Sequence, residues 1–197
     1  MAEQYSIQAE NLMKTAVEEY VEIIKEVKAT DANLTIIRNL RISINGKPRR
    51  LVDVADLRKT DNQHVIELLV FNTDHIELIT EQVEETGFSH EVEGQFIKIT
   101  VPDPSYKQLM EVVDDLNRKK NSTMGRLTKA KSEATTRART AVENEFIAQN
   151  VASAASRKCD EHYDKYGSEV ADLTMEKIKS ILGSEYFEKY KKEELDF

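Results

Sequence analysis

Apolar residues recur at helical spacing near the start of the chain. Ala9, Met13, Ala16, Tyr20, Ile23 and Val27 stand 4-3-4-3-4 apart, which predicts a helix over residues 2–28 with one packing seam. Glu18, Glu19, Glu22 and Glu26 fall mostly on the other side. The pattern then changes. Leu40, Ile42 and Ile44 alternate with Arg41 and Ser43, and the Asn45-Gly46 pair that follows is a strong hairpin signal. A second strand is expected at Arg50–Val54 and a central one at His64–Phe71. Next comes a helix at 75–86, N-capped by Asp74 and stopped by Gly87, with Ile76, Ile79 and Val83 inward. Short strands near 89–92 and 96–101 turn at Glu93-Gly94.

Pro102-Asp103-Pro104-Ser105 reads as a helix start, with Asp103 as cap and Pro104 in the first turn. That helix is expected to reach about Glu145. Another covers 148–182, packing through Ala155, His162, Tyr166, Val170, Leu173, Ile178 and Ile181. Gly167 offers a kink and Gly183-Ser184 a break before a short acidic tail. The expected fold class is α+β. An elongated three-helix bundle (1–30 with 105–197) carries a small α+β lobe (31–104) inserted between helices. The adjacent crossings, Ala29, Thr30 and Asp31 on one side and Pro102, Asp103 and Pro104 on the other, make a candidate hinge.

Charge sharpens this picture. Residues 117–139 hold Arg118, Lys119, Lys120, Arg126, Lys129, Lys131, Arg137 and Arg139 against the single acid Glu133. The segment is thus +7 in a chain of net charge −8, leaving −15 elsewhere. At about 100° per residue, Arg118, Lys119, Arg126, Lys129 and Arg137 share one side of the helix. Leu116, Met124, Leu127, Ala134 and Ala138 share the opposite side, with Lys120 and Lys131 among them and expected to snorkel. One face can pack while the other presents a basic stripe suited to a polyanion, nucleic acid above all. The alternative is a solvated helix surface.

Other chemistry is sparse. The single Cys159 excludes an internal disulfide framework and points to a reducing compartment. No cofactor is implied, and His64, His75, His90 and His162 lack metal-ligand spacing. Ser122 and Ser132 have no paired base in sequence, and nucleotide-loop, nucleophile-elbow and zincin motifs are missing. The expectation is a non-enzyme. No apolar run approaches the length of a membrane span, and the first residues do not read as a signal or import leader. The protein is therefore expected in the cytoplasm, or in a mitochondrial or plastid matrix if a leader has been removed.

Four segments, AENLMKTAVEEYVEIIKEVK, LRISINGKPRRLVDVADL, ELLVFNTDHIELITEQVEETGF and GQFIKITVPDPSYKQL, resemble in order and spacing the bacterial and organellar ribosome recycling factor family over roughly 5–182. The resemblance implies an L-shaped two-domain protein and a monomer that takes no small-molecule substrate. Such a factor binds the ribosome after termination and, with elongation factor G and GTP, splits it into subunits. It also implies contacts with large-subunit rRNA by Arg118, Lys119, Arg126, Lys129, Lys131, Arg137 and Arg139. Lys28 matches the first arginine of a family run near the hinge and joins them. That run, Arg-Thr-Gly-Arg-Ala in the family, is Lys28-Ala29-Thr30-Asp31-Ala32 here. The family's Arg-Asn-x-Arg-Arg-Asp-Ala-Asn is Thr128-Lys129-Ala130-Lys131-Ser132-Glu133-Ala134-Thr135. These differences admit a relative that binds ribosomes to silence or protect them. Outside the family, a prefoldin-like coiled-coil scaffold also joins long helices by β-structure, but with hairpins smaller than this lobe.

Overall fold

A computed structural model describes residues 3–195, which divide into two compact units: the chain up to Val27 and from Val113 onward, and Lys28–Val112. The first unit contains helix α1 (Glu3–Lys25), most of a second long helix and all of a third. The second holds α2 (Asp31–Arg38), β1 (Arg41–Ile44), β2 (Lys47–Arg50), α3 (Leu51–Val54), β3 (Ala55–Lys59), β4 (Val65–Val70), α4 (Ile76–Glu85), β5 (Ser89–Glu93) and β6 (Phe96–Thr100). Then follow α5 (Tyr106–Glu143) and α6 (Gln149–Tyr190). The fold is α+β, as the pattern predicts.

In the second unit β1 and β2 pair antiparallel across Asn45-Gly46. Both turn residues take positive φ, 52° and 77°, the backbone that a two-residue turn of matching twist requires. The other strands form an antiparallel sheet in the order β3-β4-β6-β5. His64–Phe71 is therefore interior, as expected. On β4, Ile66, Leu68 and Val70 are buried while Val65, Glu67 and Leu69 are half-buried. Ile97 and Ile99 of β6, Ile79 and Val83 of α4, and Leu34 and Ile37 of α2 complete one apolar core.

Three local expectations change, and one helix is added. Residues 51–54 form one helical turn instead of a strand, because Leu51 and Val54, three apart, are the pair that reaches the core. Residues 31–38 are helical, burying Asn33, Leu34 and Ile37. Asn72, and not Asp74, caps the start of the α4 region: its side chain accepts from the Asp74 N–H at 3.0 Å. Ser105 replaces Asp103 as the cap of α5. Its Oγ accepts the Gln108 N–H at 3.2 Å and its own N–H donates to Gln108 Oε1 at 2.9 Å, a reciprocal capping box.

The first unit packs α1 and α6 with the length of α5 from Val113 onward. Ile23 is turned outward at 42% exposure, and Ile24 takes its place in the seam. α6 passes straight through Gly167, where an added Cβ would sit 3.4 Å from Met124 Cε; the helix breaks only at Gly183, φ 74°. Beyond the break the chain returns to helix as far as Tyr190. At the centre, the Tyr20 hydroxyl donates to Thr174 Oγ1 at 2.5 Å, and Thr174 passes its own proton to the Val170 carbonyl at 2.7 Å. Burial raises the Tyr20 pKa above its usual value.

Tyr20→Phe deletes this bond and leaves Thr174 half-satisfied, so stability is expected to fall by about 1 kcal/mol in urea unfolding; no change would mean the bond is offset by water in the unfolded chain. Alkaline pH should act on the same core. The pKa values of Tyr20, Tyr166, Tyr190 and Cys159 are all raised, chiefly by burial. Their contribution is therefore fully present below the unfolded values. It is lost as pH rises from those unfolded values, 9.0 for the thiol and 10.0 for the phenols, through the higher folded ones. Unfolding midpoints measured from pH 7 to 11 should be flat at first and then decline.

Candidate nucleic-acid interface

The predicted basic stripe lies on α5. Leu116, Thr123, Leu127, Ala130, Ala134, Ala138 and Ala141 are buried along one line of this helix, with Met124 half-buried beside them. The repeat of three and four residues fixes which side chains face outward.

Arg118 and Lys129 occupy the middle of the outward face, with side chains 75% and 77% exposed. Asp115 lies 3.7 Å from Arg118 and 2.8 Å from Lys119. Glu133 lies 4.0 Å from Lys129 and 3.9 Å from Arg137. Each carboxylate is thus shared between two cations, and both clusters keep net positive charge.

The flanks of the stripe are held from other helices. Arg126 donates to Glu19 on α1, and Arg137 reaches Gln8 on the same helix at 3.2 Å. On the opposite flank Lys131 snorkels over the Tyr163 ring, 4.7 Å from its centroid, to meet Asp160 of α6 at 3.1 Å. Arg139 is exposed and Lys120 half-buried, and neither has an acidic partner among the described residues. Lys131 also lowers the pKa of nearby Cys159, but burial and Asp160 outweigh it and the thiol is raised above its usual value. Cys159 is fully buried and fills space as a small apolar group.

Lys28 is in the second unit. It is half-buried, and its ammonium donates to the Thr60 carbonyl at 3.5 Å. The hinge candidates beside it are well bonded within that unit. Thr30 Oγ1 donates to the Gln63 carbonyl at 2.7 Å, and Asp31 accepts the Lys28 N–H at 3.2 Å and pairs with Lys59 at 2.7 Å. Pro102, Asp103 and Pro104 have no regular structure. The Pro102 carbonyl accepts from Asn33 at 3.2 Å, and Asp103 lies 3.3 Å from His64. Ala29 is half-buried in the turn before α2.

Among the described residues no three potential metal ligands come together, and no helix is long and apolar enough to cross a membrane. His162 faces Glu10 at 3.6 Å, next to the Tyr166 hydroxyl, which donates to the same carboxylate at 3.0 Å. What α5 offers chemically is a row of exposed cations along one continuous helix. A second set of cations, Arg38, Arg41, Lys47, Arg49 and Arg50, has no helical period, because four of the five follow α2 on a hairpin. The signal was an acid-free run from 32 to 52.

The family model described as ribosome recycling factor matches residues 20–182. The ribosome-recycling factors of Chlamydia caviae and Chlamydia felis are each 19% identical over 170 residues, covering 85% of this chain and 92% of theirs. Among solved structures, a solution structure of the ribosome recycling factor aligns at TM-score 0.52 and 22% identity, over 93% of this chain and 98% of that one. The T. thermophilus ribosome recycling factor, from models in which it and E. coli elongation factor G are bound to the E. coli post-termination complex, aligns at TM-score 0.50 and 13% identity. That alignment covers 93% of this chain and all of the other. The two solved structures share its fold.

Burial separates the stripe into roles. Lys131→Ala is expected to lower stability by up to about 1 kcal/mol, through loss of the Tyr163 face and the Asp160 pair. Lys129→Ala should stay within about 0.5 kcal/mol. Equal losses in chemical denaturation would contradict this division.

Proposed function

The chain belongs to the ribosome recycling factor family, whose model spans residues 20–182, and from that premise we propose that it docks on post-termination ribosomes through α5 and acts in their recycling. It is a translation factor, working with elongation factor G and GTP to separate the subunits. It acts as a monomer by binding and displacement, with no covalent chemistry of its own. Its place is the compartment that holds those ribosomes, the cytoplasm or an organelle matrix. Membership of the family supplants the scaffold alternative.

The observation that supports the docking surface is the exposed cationic centre of α5, Arg118 and Lys129, each paired only weakly with an acid of its own helix. Exposed pairs of this kind are worth about 0–1 kcal/mol, so an rRNA phosphate can replace the carboxylate at little cost. Lys119, Arg126, Arg137 and Arg139 extend the surface along the helix. Lys131 contributes charge from a position fixed by Tyr163, and Lys28 from the second unit. Contacts of this type fix register and give strong salt dependence, while RNA shape carries selectivity. Lysine at 129 and 131 supplies a point charge where a guanidinium would supply two parallel donors.

Arg118→Glu with Lys129→Glu is the cleanest test, because both side chains are outward and neither supports the bundle. Ribosome affinity at about 0.1 M salt should fall at least tenfold, and the slope of log K against log salt should flatten by about 1.5 for two lost phosphate contacts. Unchanged binding would remove α5 as the docking surface. Sedimentation of post-termination ribosomes with the wild-type chain, with and without elongation factor G and GTP, tests the activity. Subunit separation is the expected result. Binding without separation would make the protein a ribosome-holding member of the family, and no association at low salt would end the ribosomal reading.

A further inference from the structure

The β1–β2 hairpin concentrates positive charge in a unit that is otherwise acidic. Residues 32–52 hold Arg38, Arg41, Lys47, Arg49 and Arg50 and no acid, a net +5 against −9 for the rest of Lys28–Val112. All five side chains are exposed, and every residue of β2 is exposed. Only Arg50 forms an ion pair among the described residues, with Asp53 at 3.3 Å, and the Asp53 charge also acts on Arg49.

The register makes this arrangement costly for an isolated protein. Arg41 stands directly opposite Arg50, and Ser43 opposite Pro48, on one face of the hairpin. Like charges at opposed positions destabilise a strand pair, and Asp53 relieves only one of the two. On the other face, Arg49 and Lys47 stand opposite Ile42 and Ile44, which turn toward the core. Cations therefore line both sides of one edge strand. Same-side neighbours Lys47 and Arg49 are separated by about 6.7 Å, the scale of one nucleotide step along a polynucleotide.

We propose that this hairpin is a second surface for the phosphate backbone of RNA, separate from α5. Four of the five cations are arginines, whose planar forks match phosphate oxygens two at a time. A protein partner would need an apolar or aromatic centre to the patch, and Lys47–Arg50 supplies none. An extended, twisted edge carrying alternating cations suits a backbone that passes along it. The ribosomal reading enters only in naming the RNA as ribosomal; phosphate recognition by the hairpin stands on the charge and register alone.

The test uses the full chain, a fluorescent 20-base-pair RNA duplex, and polyglutamate of similar charge. Arg41→Ser/Lys47→Ser/Arg49→Ser should weaken duplex binding at least tenfold and flatten the salt slope by about 2, for three lost contacts at about 0.7–0.9 each. Arg41→Lys/Arg49→Lys should keep the slope while losing part of the affinity. Unchanged affinity and slope in the triple variant would overturn the proposal, including where that variant aggregates, since charge that only protects an exposed edge from self-pairing has that signature. Polyglutamate binding as tight as RNA, and equally sensitive to the triple substitution, would overturn it in favour of an acidic protein. Arg118→Glu/Lys129→Glu, run alongside, separates the two surfaces: loss only in the helix variant sinks the hairpin, and loss only in the hairpin variant sinks α5 as the docking surface while leaving the hairpin standing.

Discussion

Burial of a single stripe along α5 is the constraint on which the bundle and its charged face both depend. From Leu116 to Ala141 every third or fourth residue must be apolar or neutral and small enough to be enclosed, and seven of these positions are. A helix has one remaining side, and the cations are there because they have nowhere else to go on the same rod. Lys120 and Lys131, which fall near the seam, show the limit: both are only half-buried, and Lys131 is accommodated through an aromatic ring and a carboxylate supplied by α6. The charged surface is thus geometrically a by-product of packing, and its chemistry depends on which acids the other helices place beside it.

That last point explains what could be read from the chain and what could not. Periodicity located the long helices, the Asn45-Gly46 turn and the buried strand at 64–71, because those signals are local and repeated. It assigned 51–54 to a strand because four residues carry too little period to separate spacing of two from spacing of three. It chose Ile23 over Ile24 because a strict alternation of three and four drifts relative to a real helix near its end. Asp103 and Asp74 look like caps by residue type, yet Ser105 caps α5 through a reciprocal pair with Gln108, three residues on, and Asn72 caps by accepting the Asp74 N–H. Gly167 looked like a kink, whereas Gly183 breaks the helix because only it takes a positive φ.

The stripe itself was legible as charge and not as electrostatics. Arg126 reads from sequence as an equivalent of Arg118 and Lys129, and Lys131 as a snorkelling lysine with no named partner, but Glu19 and Asp160 are about a hundred and about thirty residues away along the chain, respectively. Long-range partners of this kind leave no mark in local spacing. The hinge candidates show the same effect, since Thr30 and Asp31 read as linker until Gln63 and Lys59 are seen to hold them.

The seam also changes character along its length. Toward Leu116 it is filled by large side chains, with Tyr20, Ile178 and Leu182 buried in the same unit. From Ala130 onward α5 contributes only alanines, matched on α6 by Ala152, Ala155 and Cys159. Small side chains let helix axes come close, but they remove little apolar area from water. The free energy of local opening should therefore be graded, low at the alanine end and approaching the global value near Leu116. The part of the helix that bears Arg137 and Arg139 would then exchange its amide hydrogens sooner than the part that bears Arg118, so the same row of cations spans a stiff segment and a compliant one, and can adjust to an uneven surface at one end while holding its register from the other.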